Sequence, residues 1–313
     1  MNDSPRVSVV IPTYNRPEEL REAVTSVFAQ SFQDFEVVVT VDGGGSASAA
    51  ALKAFPQERL RVLTPQSQLG NAEARNHAIR AASGELIALL DDDDLWKPEK
   101  LKKQVALYDA VGEPRLIVSC PFEVRSEAEH LLWPQRRPEP DEPVSEYIFC
   151  RHRSVAVEGA VQTSTLLAAK ALFDDVPFDK NLPRMVDLDW LLRAAEAGAP
   201  LAFTEGDEAL SVYAVDDSRV RVSHQARWQW EREFARERRH LFTDRSYAAF
   251  MLTSCSLAAS RSNDPGAFLP LLATALREGR PSMAELAFHM ANTALPLPLK
   301  RRLAALLARK KPA

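Results

Sequence analysis

Over its first 120 residues the chain alternates short, β-branched apolar runs with stretches whose apolar residues recur at helical spacing, and few folds accept that order. Residues 7–11 are apolar but for one serine, as strands buried on both faces are, and Pro12 is expected to stop them. Pro17 suits a first helical turn, and Leu20, Val24, Val27 and Phe28 then share one helical face through Ala29. Residues 35–41, 60–63, 86–90 and 116–120 read as further strands, and 71–82 and 98–111 as helices. Strands separated by helices pair in parallel. The expected fold is therefore α/β, a doubly wound, mostly parallel sheet flanked by helices, whose ligands bind beyond the carboxyl ends of strands. Asp42 and the run Asp91 to Asp94 lie at two such ends.

The remainder is less regular. Residues 123–153, rich in Pro, Glu and Arg, read as a loop excursion. A strand is expected at 161–167 and a helix at 187–197, and after about residue 223 the sequence turns helical with mixed charge. There Trp228, Trp230 and Phe234 interleave with Glu and Arg, as in a helix with one packed face. With 46% hydrophobic and 26% charged residues the chain is globular, neither disordered nor fibrous. Its net charge of −4, with both signs intermixed, offers no field for nucleic acid. No basic, apolar leader is visible, and no apolar run reaches the roughly 18 residues that span a bilayer. Cys120, Cys150 and Cys255 are far apart and form no CxxC pair, which points to buried structural thiols in a reducing, cytoplasmic setting.

The sequence Leu89-Leu90-Asp91-Asp92-Asp93-Asp94-Leu95-Trp96 places four acids directly after a strand too apolar to lie on the surface. Crowded carboxylates repel, and a hard divalent cation, Mg²⁺ or Mn²⁺, held by one or two of them and by substrate phosphates, would relieve that repulsion. The plainer alternative is a solvated loop in which one Asp caps the following helix.

Four segments in order resemble the large inverting GT-A glycosyltransferase group called family 2: VSVVIPTYNR from Val7, FEVVVTVDGG from Phe35, GNAEARNHAI from Gly70 and GELIALLDDDDLW from Gly84. A weaker fifth, DLDWLLR from Asp187, is similar to the family's acidic segment leading into its catalytic helix. The resemblance implies a GT-A domain over residues 1–222, with a nucleotide-binding half (1–120) and an acceptor half (121–222), followed by a helical carboxyl-terminal extension (223–313). It further implies transfer of a sugar, with inversion, from a nucleotide-sugar donor, a UDP-sugar above others, to a carbohydrate or lipid-linked acceptor.

Carried over residue by residue, the resemblance puts Thr13, Tyr14 and Asn15 at the nucleotide and has Asp42 accept a hydrogen bond from the base. It sets Arg75 near the base or diphosphate, Asp91 and Asp92 at the donor, and Asp93 on the divalent metal. Asp187 becomes the base that takes the acceptor's proton, with Asp189 as second choice. Each position also has a plain structural reading: Tyr14 as packing, Asn15 as a helix cap, Arg75 as half of an ion pair, and Asp187 and Asp189 as acids favoured by a helix dipole. Two positions depart from the family pattern. Val41 stands where an acid is frequent, and Asp216 where a His is frequent, with His224 close by. A silent nucleotide-sugar-binding scaffold and a sugar nucleotidyltransferase remain alternatives, although PTYNRPEE is not the glycine-rich basic loop that the latter needs. At the far end Leu299, Leu303, Leu306 and Leu307 share a helical face among Lys300, Arg301, Arg302, Arg309, Lys310 and Lys311, a basic amphipathic pattern suited to peripheral membrane contact at the inner face or to packing on the protein itself.

Overall fold

The computed structural model describes residues 4–43, 45–125, 130–151, 158–214 and 227–293. Gly44, Asp216, His224 and the basic leucine-rich tail lie outside them. In chain order the elements are β1 (Val7–Thr13), α1 (Pro17–Phe28), β2 (Phe35–Val41), α2 (Ser46–Ala51), β3 (Leu60–Leu63), α3 (Asn71–Ala81), β4 (Leu86–Leu89), β5 (Asp94–Trp96), α4 (Lys100–Val111), β6 (Ile117–Ser119), β7 (Phe122–Arg125) and β8 (His130–Trp133). They continue with α5 (Val144–Phe149), β9 (Leu167–Ala169), α6 (Lys170–Asp175), α7 (Val186–Glu196), β10 (Leu201–Phe203), β11 (Ser211–Ala214), α8 (Trp228–Glu237), α9 (Asp244–Phe250), α10 (Ser256–Arg261), α11 (Phe268–Glu278) and α12 (Met283–Thr293).

Contacts divide the chain into two compact units, Met1–Pro138 with Ala160–Arg219, and Glu139–Gly159 with Val220–Ala313. The first contains a seven-stranded sheet in the order β10-β6-β9-β4-β1-β2-β3 and a four-stranded sheet, β5-β11-β7-β8. The large sheet is parallel except for β9, which runs against both β4 and β6. Every residue of β1 is buried, and α1 covers it with Leu20, Ala23, Val24 and Val27, the stripe that its spacing predicts. Fully burying one such leucine contributes about 1.5–3 kcal/mol.

Three expectations are corrected. β1 runs through Pro12 to Thr13: Val10 is its last residue paired to β4, so the side from which Pro12 lacks an N–H has no neighbouring strand left to bond. The loop expected over 123–153 instead carries the β7–β8 hairpin and α5. Its signal is weak because Leu131 and Leu132 of the edge strand β8 are exposed, so no buried alternation is left to read. The strand expected over 161–167 begins later, at Leu167, after a tight turn at Thr163–Thr165.

The second unit is helical among its described residues. α5 joins α9 through Thr243 Oγ1 to Glu146 (2.7 Å), Ser246 Oγ to Ser145 (2.9 Å) and the edge-on rings of Phe149 and Phe250. All three cysteines are free and buried, and burial pushes the Cys120 thiol up to about 11.

Candidate functional site

Three strands of the first unit end side by side and deliver the acids. β1 and β2 pair in register to Thr13 and Val41, the amide of Asp42 donates to the Thr13 carbonyl (2.8 Å), and β4 leads directly into Asp91. The four aspartates then alternate in direction. Asp92 turns inward, its side chain 8% exposed, and accepts from Thr13 Oγ1 (2.7 Å) and Arg16 Nη1 (3.0 Å). Asp94 is buried too, accepting from Ser164 Oγ (2.6 Å) and from Gln162, with its second oxygen unpartnered. Asp91 and Asp93 face outward at 27% and 32% exposure, the first paired with Arg75 and the second with Arg16 (2.8 Å).

Concentrating four carboxyls here has an electrostatic cost that the neighbours only partly relieve. Burial raises Asp92 to about 6, opposed by the Thr13 hydroxyl and Arg16. It also pushes Asp94 well up, reinforced by the charge of Asp91. Asp91 is raised by burial, drawn back by Arg75, and raised again by Asp93 and Asp187, which places Asp187 within electrostatic reach of the cluster. Among the described residues no group of three or more His, Cys, Asp or Glu is arranged to hold a metal unaided. The partly exposed Asp93 carboxylate would fit a hard divalent ion whose remaining ligands come from phosphate and water.

A second feature links this cluster to α7. In the Thr163–Thr165 turn, Thr163 Oγ1 donates to Asp187 (2.9 Å), while Ser164 Oγ bonds Asp94 and accepts from the Asp91 amide (3.0 Å). The turn is pinned from below by Trp96 Nε1 on the Ser164 carbonyl (2.8 Å) and by Gln104 Nε2 on the Thr165 carbonyl (2.7 Å). Lys100 steadies both: its ammonium bonds Gln104 (2.6 Å) and lies 3.8 Å from the Trp96 ring centroid, and burial lowers its pKa to about 8. The two acids of α7 have different surroundings. Asp187 is half-buried and faces the turn, whereas Asp189 is fully buried and paired with Arg193 (2.7 Å).

Asp42 is buried, and its two oxygens accept the amides of Leu69 (2.7 Å) and Gly70 (2.9 Å), fixing the start of α3 and thereby the helix that carries Arg75. Arg75 is buried between Asp91 and the Phe178 ring, with its Nε unpartnered. Tyr14 is half exposed and its ring lies over Gly43. Gly43 has a φ of +83°, a conformation that favours glycine, and a Cβ there would come within 2.5 Å of that ring and displace it. Asn15 is exposed in the left-handed region and does not cap α1, whose cap position is Arg16. Sequence pattern does not single out Arg16, Gln162, Thr163 or Ser164. Arg16 directly follows the PTYN segment, which is a signal of a kind, but nothing in VQTST marks which hydroxyl meets which acid.

The model of glycosyl transferase family 2 matches residues 8–169. The chain belongs to glycosyl transferase family 2. Among relatives within this family of glycosyltransferases, the amylovoran biosynthesis glycosyltransferase AmsB of Erwinia amylovora is 27% identical over 199 residues, 61% of this chain and 64% of that protein. The Escherichia coli glucosyltransferase WfgD, named for UDP-Glc and α-D-GlcNAc-diphosphoundecaprenol, is 34% identical over 101 residues, 32% of this chain and 40% of that protein. The chain thus spans less than two thirds of these relatives' length. The family's fold is also that of Staphylococcus aureus TarS 1–349, solved with UDP-GlcNAc, at a TM-score of 0.63 and 19% identity over 91% of this chain and 84% of that one. The mannosyltransferase PcManGT of Pyrobaculum calidifontis, solved with GDP-Man and Mn²⁺, gives 0.58 and 20% over 98% and 85%. These likenesses identify the architecture as GT-A, a mostly parallel sheet flanked by helices with a helical carboxyl-terminal region.

Proposed function

We propose that this family 2 glycosyltransferase transfers a sugar, with inversion, from a UDP-sugar to a carbohydrate or lipid-linked acceptor in the synthesis of a cell-surface polysaccharide. The observation that carries the reading is that one short turn joins Asp187 to the acid run: Thr163 Oγ1 donates to the half-buried Asp187 while Ser164 Oγ accepts the amide of Asp91. UDP is preferred because TarS was solved with UDP-GlcNAc and WfgD is named for UDP-Glc. The lipid-linked acceptor rests on WfgD's name, and the polysaccharide on AmsB's.

In this reading the exposed Tyr14 ring takes the base, with Thr13, Asn15 and Asp42 around the nucleoside, and Asp91 faces the ribose while Arg75 holds it in place. Asp93 is the metal ligand. A bound Mn²⁺ or Mg²⁺ would neutralise charge on the leaving diphosphate. Asp92 acts from beneath, orienting Thr13 and Arg16 through the hydrogen bonds it accepts. Asp187 takes the proton of the acceptor hydroxyl as that oxygen attacks the anomeric carbon, the carbon–oxygen bond to the diphosphate breaks, and the nucleotide leaves with the electron pair. The buried, paired Asp189 lacks access for that role. Residues 1–222 make up the transferase domain and 223–313 the extension, and the chain works in the cytoplasm at the inner face of a membrane.

Calorimetric titration of UDP with and without Mn²⁺ tests the donor site, with Asp93→Ala as control. Metal-dependent binding that the variant loses supports the reading and leads to a panel of UDP-sugars. No binding in any condition overturns the UDP assignment.

A further inference from the structure

α12 is turned inside out. Its two ionisable residues, Glu285 and His289, are buried, whereas Met283 (79% exposed), Ala284, Ala287, Met290 (57%) and Ala291 face outward, so its solvent face carries no charge. The inward groups are held where they lie: one Glu285 oxygen accepts from the Ser282 amide (2.7 Å) while the other is buried without a hydrogen bond, and His289 bridges Ser256 Oγ and the Phe268 carbonyl (3.0 Å each) while stacking on the Phe268 ring. α11 repeats the theme, burying Leu271 and Ala275 and exposing Leu269 (70%) and Leu276 (57%), with charge confined to Arg277 and Glu278 at its end. Both helices pack on the Met251–Cys255 segment and against each other. Scattered exposed leucines are ordinary, but a helix that hides its charges and displays its methionines needs an apolar occupant.

We propose that this α11–α12 face docks on an anionic phospholipid bilayer. The residues that follow α12 supply the argument for that occupant. Positions 294–313 contain six leucines and six cations, Lys300, Arg301, Arg302, Arg309, Lys310 and Lys311, and no acid. With the whole chain at −4, the other 293 residues carry −4 − 6 = −10, so the 20 residues that follow α12 in sequence differ in sign from the rest of the chain. Apolar side chains beside a basic cluster are the combination that binds anionic lipid, the former entering the acyl boundary and the latter meeting the headgroups. The inference deepens the lipid-linked acceptor reading by giving the enzyme a surface on which to meet such an acceptor, and its test is independent of turnover.

The test is co-sedimentation of the full chain with vesicles of phosphatidylcholine alone or with about a third phosphatidylglycerol, at moderate and high salt. Expected is at least tenfold stronger binding to the anionic vesicles, weakened by salt, and at least a tenfold loss in Met283→Glu/Met290→Glu with its melting temperature unchanged. Leu269→Gln/Leu276→Gln, which adds no charge, is the second variant and is expected to lose binding in the same direction. If both variants bind as the wild type does, the basic segment acts alone and the proposal fails. It fails equally if the wild type ignores anionic vesicles, whether because a dimer forms through this face or because residues 294–313 cover it. UDP titration on the same preparations separates a failed donor site from a failed docking face.

Discussion

The carboxyl edge of the first unit's sheet and the α11–α12 pair of the second handle charge in opposite ways. At the sheet edge an apolar interior ends abruptly in acids, two turned inward onto Thr13, Arg16, Ser164 and Gln162, and two partly exposed and paired with Arg75 and Arg16. On α12 the ionisable groups point in and the apolar ones out. An amphipathic helix in an ordinary body does neither, as α1 illustrates with its buried Leu20, Val24 and Val27 and its Glu18 and Glu22 in solvent. The contrast teaches that function is most visible where polarity runs against burial, and that the sign of the mismatch indicates the partner: excess buried carboxyl for a cation and its anion, excess exposed hydrocarbon for something apolar.

The largest effects should separate the two acids of α7. Asp187→Asn is expected to lower kcat by about 10³-fold, within the range for loss of a general base, while UDP affinity stays within twofold, measured by coupled assay and calorimetry. Asp189→Asn should behave in the reverse manner, costing about 1–3 kcal/mol in urea unfolding because it removes the buried partner of Arg193, which keeps its bond to the Pro177 carbonyl. If Asp189→Asn leaves stability untouched and removes turnover, the assignment of the base is wrong.

Titration of the two regions should run in opposite directions. Burial raises Asp92 from 3.8 to about 6, so its favourable contribution is complete below about pH 4 and is lost as pH rises through 6. Asp92→Asn, which does not titrate, should therefore gain on the wild type between pH 4 and 7, by up to about 3 kcal/mol at about 1.4 kcal/mol per unit. His289 is lowered by burial, partly offset by the Phe268 carbonyl, so its contribution is present above about pH 6.5 and is lost as pH falls. His289→Gln should flatten that acid limb in urea titrations, and equal pH slopes for wild type and variant would break the comparison. The smallest effect is expected at the displayed face, where Met283→Gln and Met290→Gln should each change stability by under about 0.5 kcal/mol, since neither side chain is in the core.

Local pattern was enough to read most of the large sheet, because strands buried on both faces and helices with one apolar stripe announce themselves within ten residues. What could not be read depends on distant partners. Whether Pro12 ends β1 is decided by where β4 stops, and whether residues near 165 form a turn or a strand is decided by Gln104 and Trp96, about 60 to 70 positions away. The site divides along the same line. Asp42, Asp91 to Asp94 and Asp187 were legible as acids at strand or helix ends, together with the family motifs. Their alternation inward and outward was not, because it is set by Arg16 on one side and the Thr163–Thr165 turn on the other. The inversion of α12 was also beyond local reading, since a helix with two ionisable residues and many apolar ones would ordinarily be expected to turn the charges outward.

The placement of β9 has a consequence for how the chain assembles. β4 and β6 are separated in the sheet by a strand that lies about 80 residues after β4 in sequence, so neither β6 nor β10 can join the sheet until that strand has arrived. During synthesis β1 to β4 can pair as they emerge, but the other three of the seven strands must wait for Leu167–Ala169, with the apolar edge of β4 open meanwhile. The same late strand is preceded directly by the Thr163–Thr165 turn, so the contact with Asp187 forms only after the last gap in the sheet is closed, and a half-folded chain has no complete site.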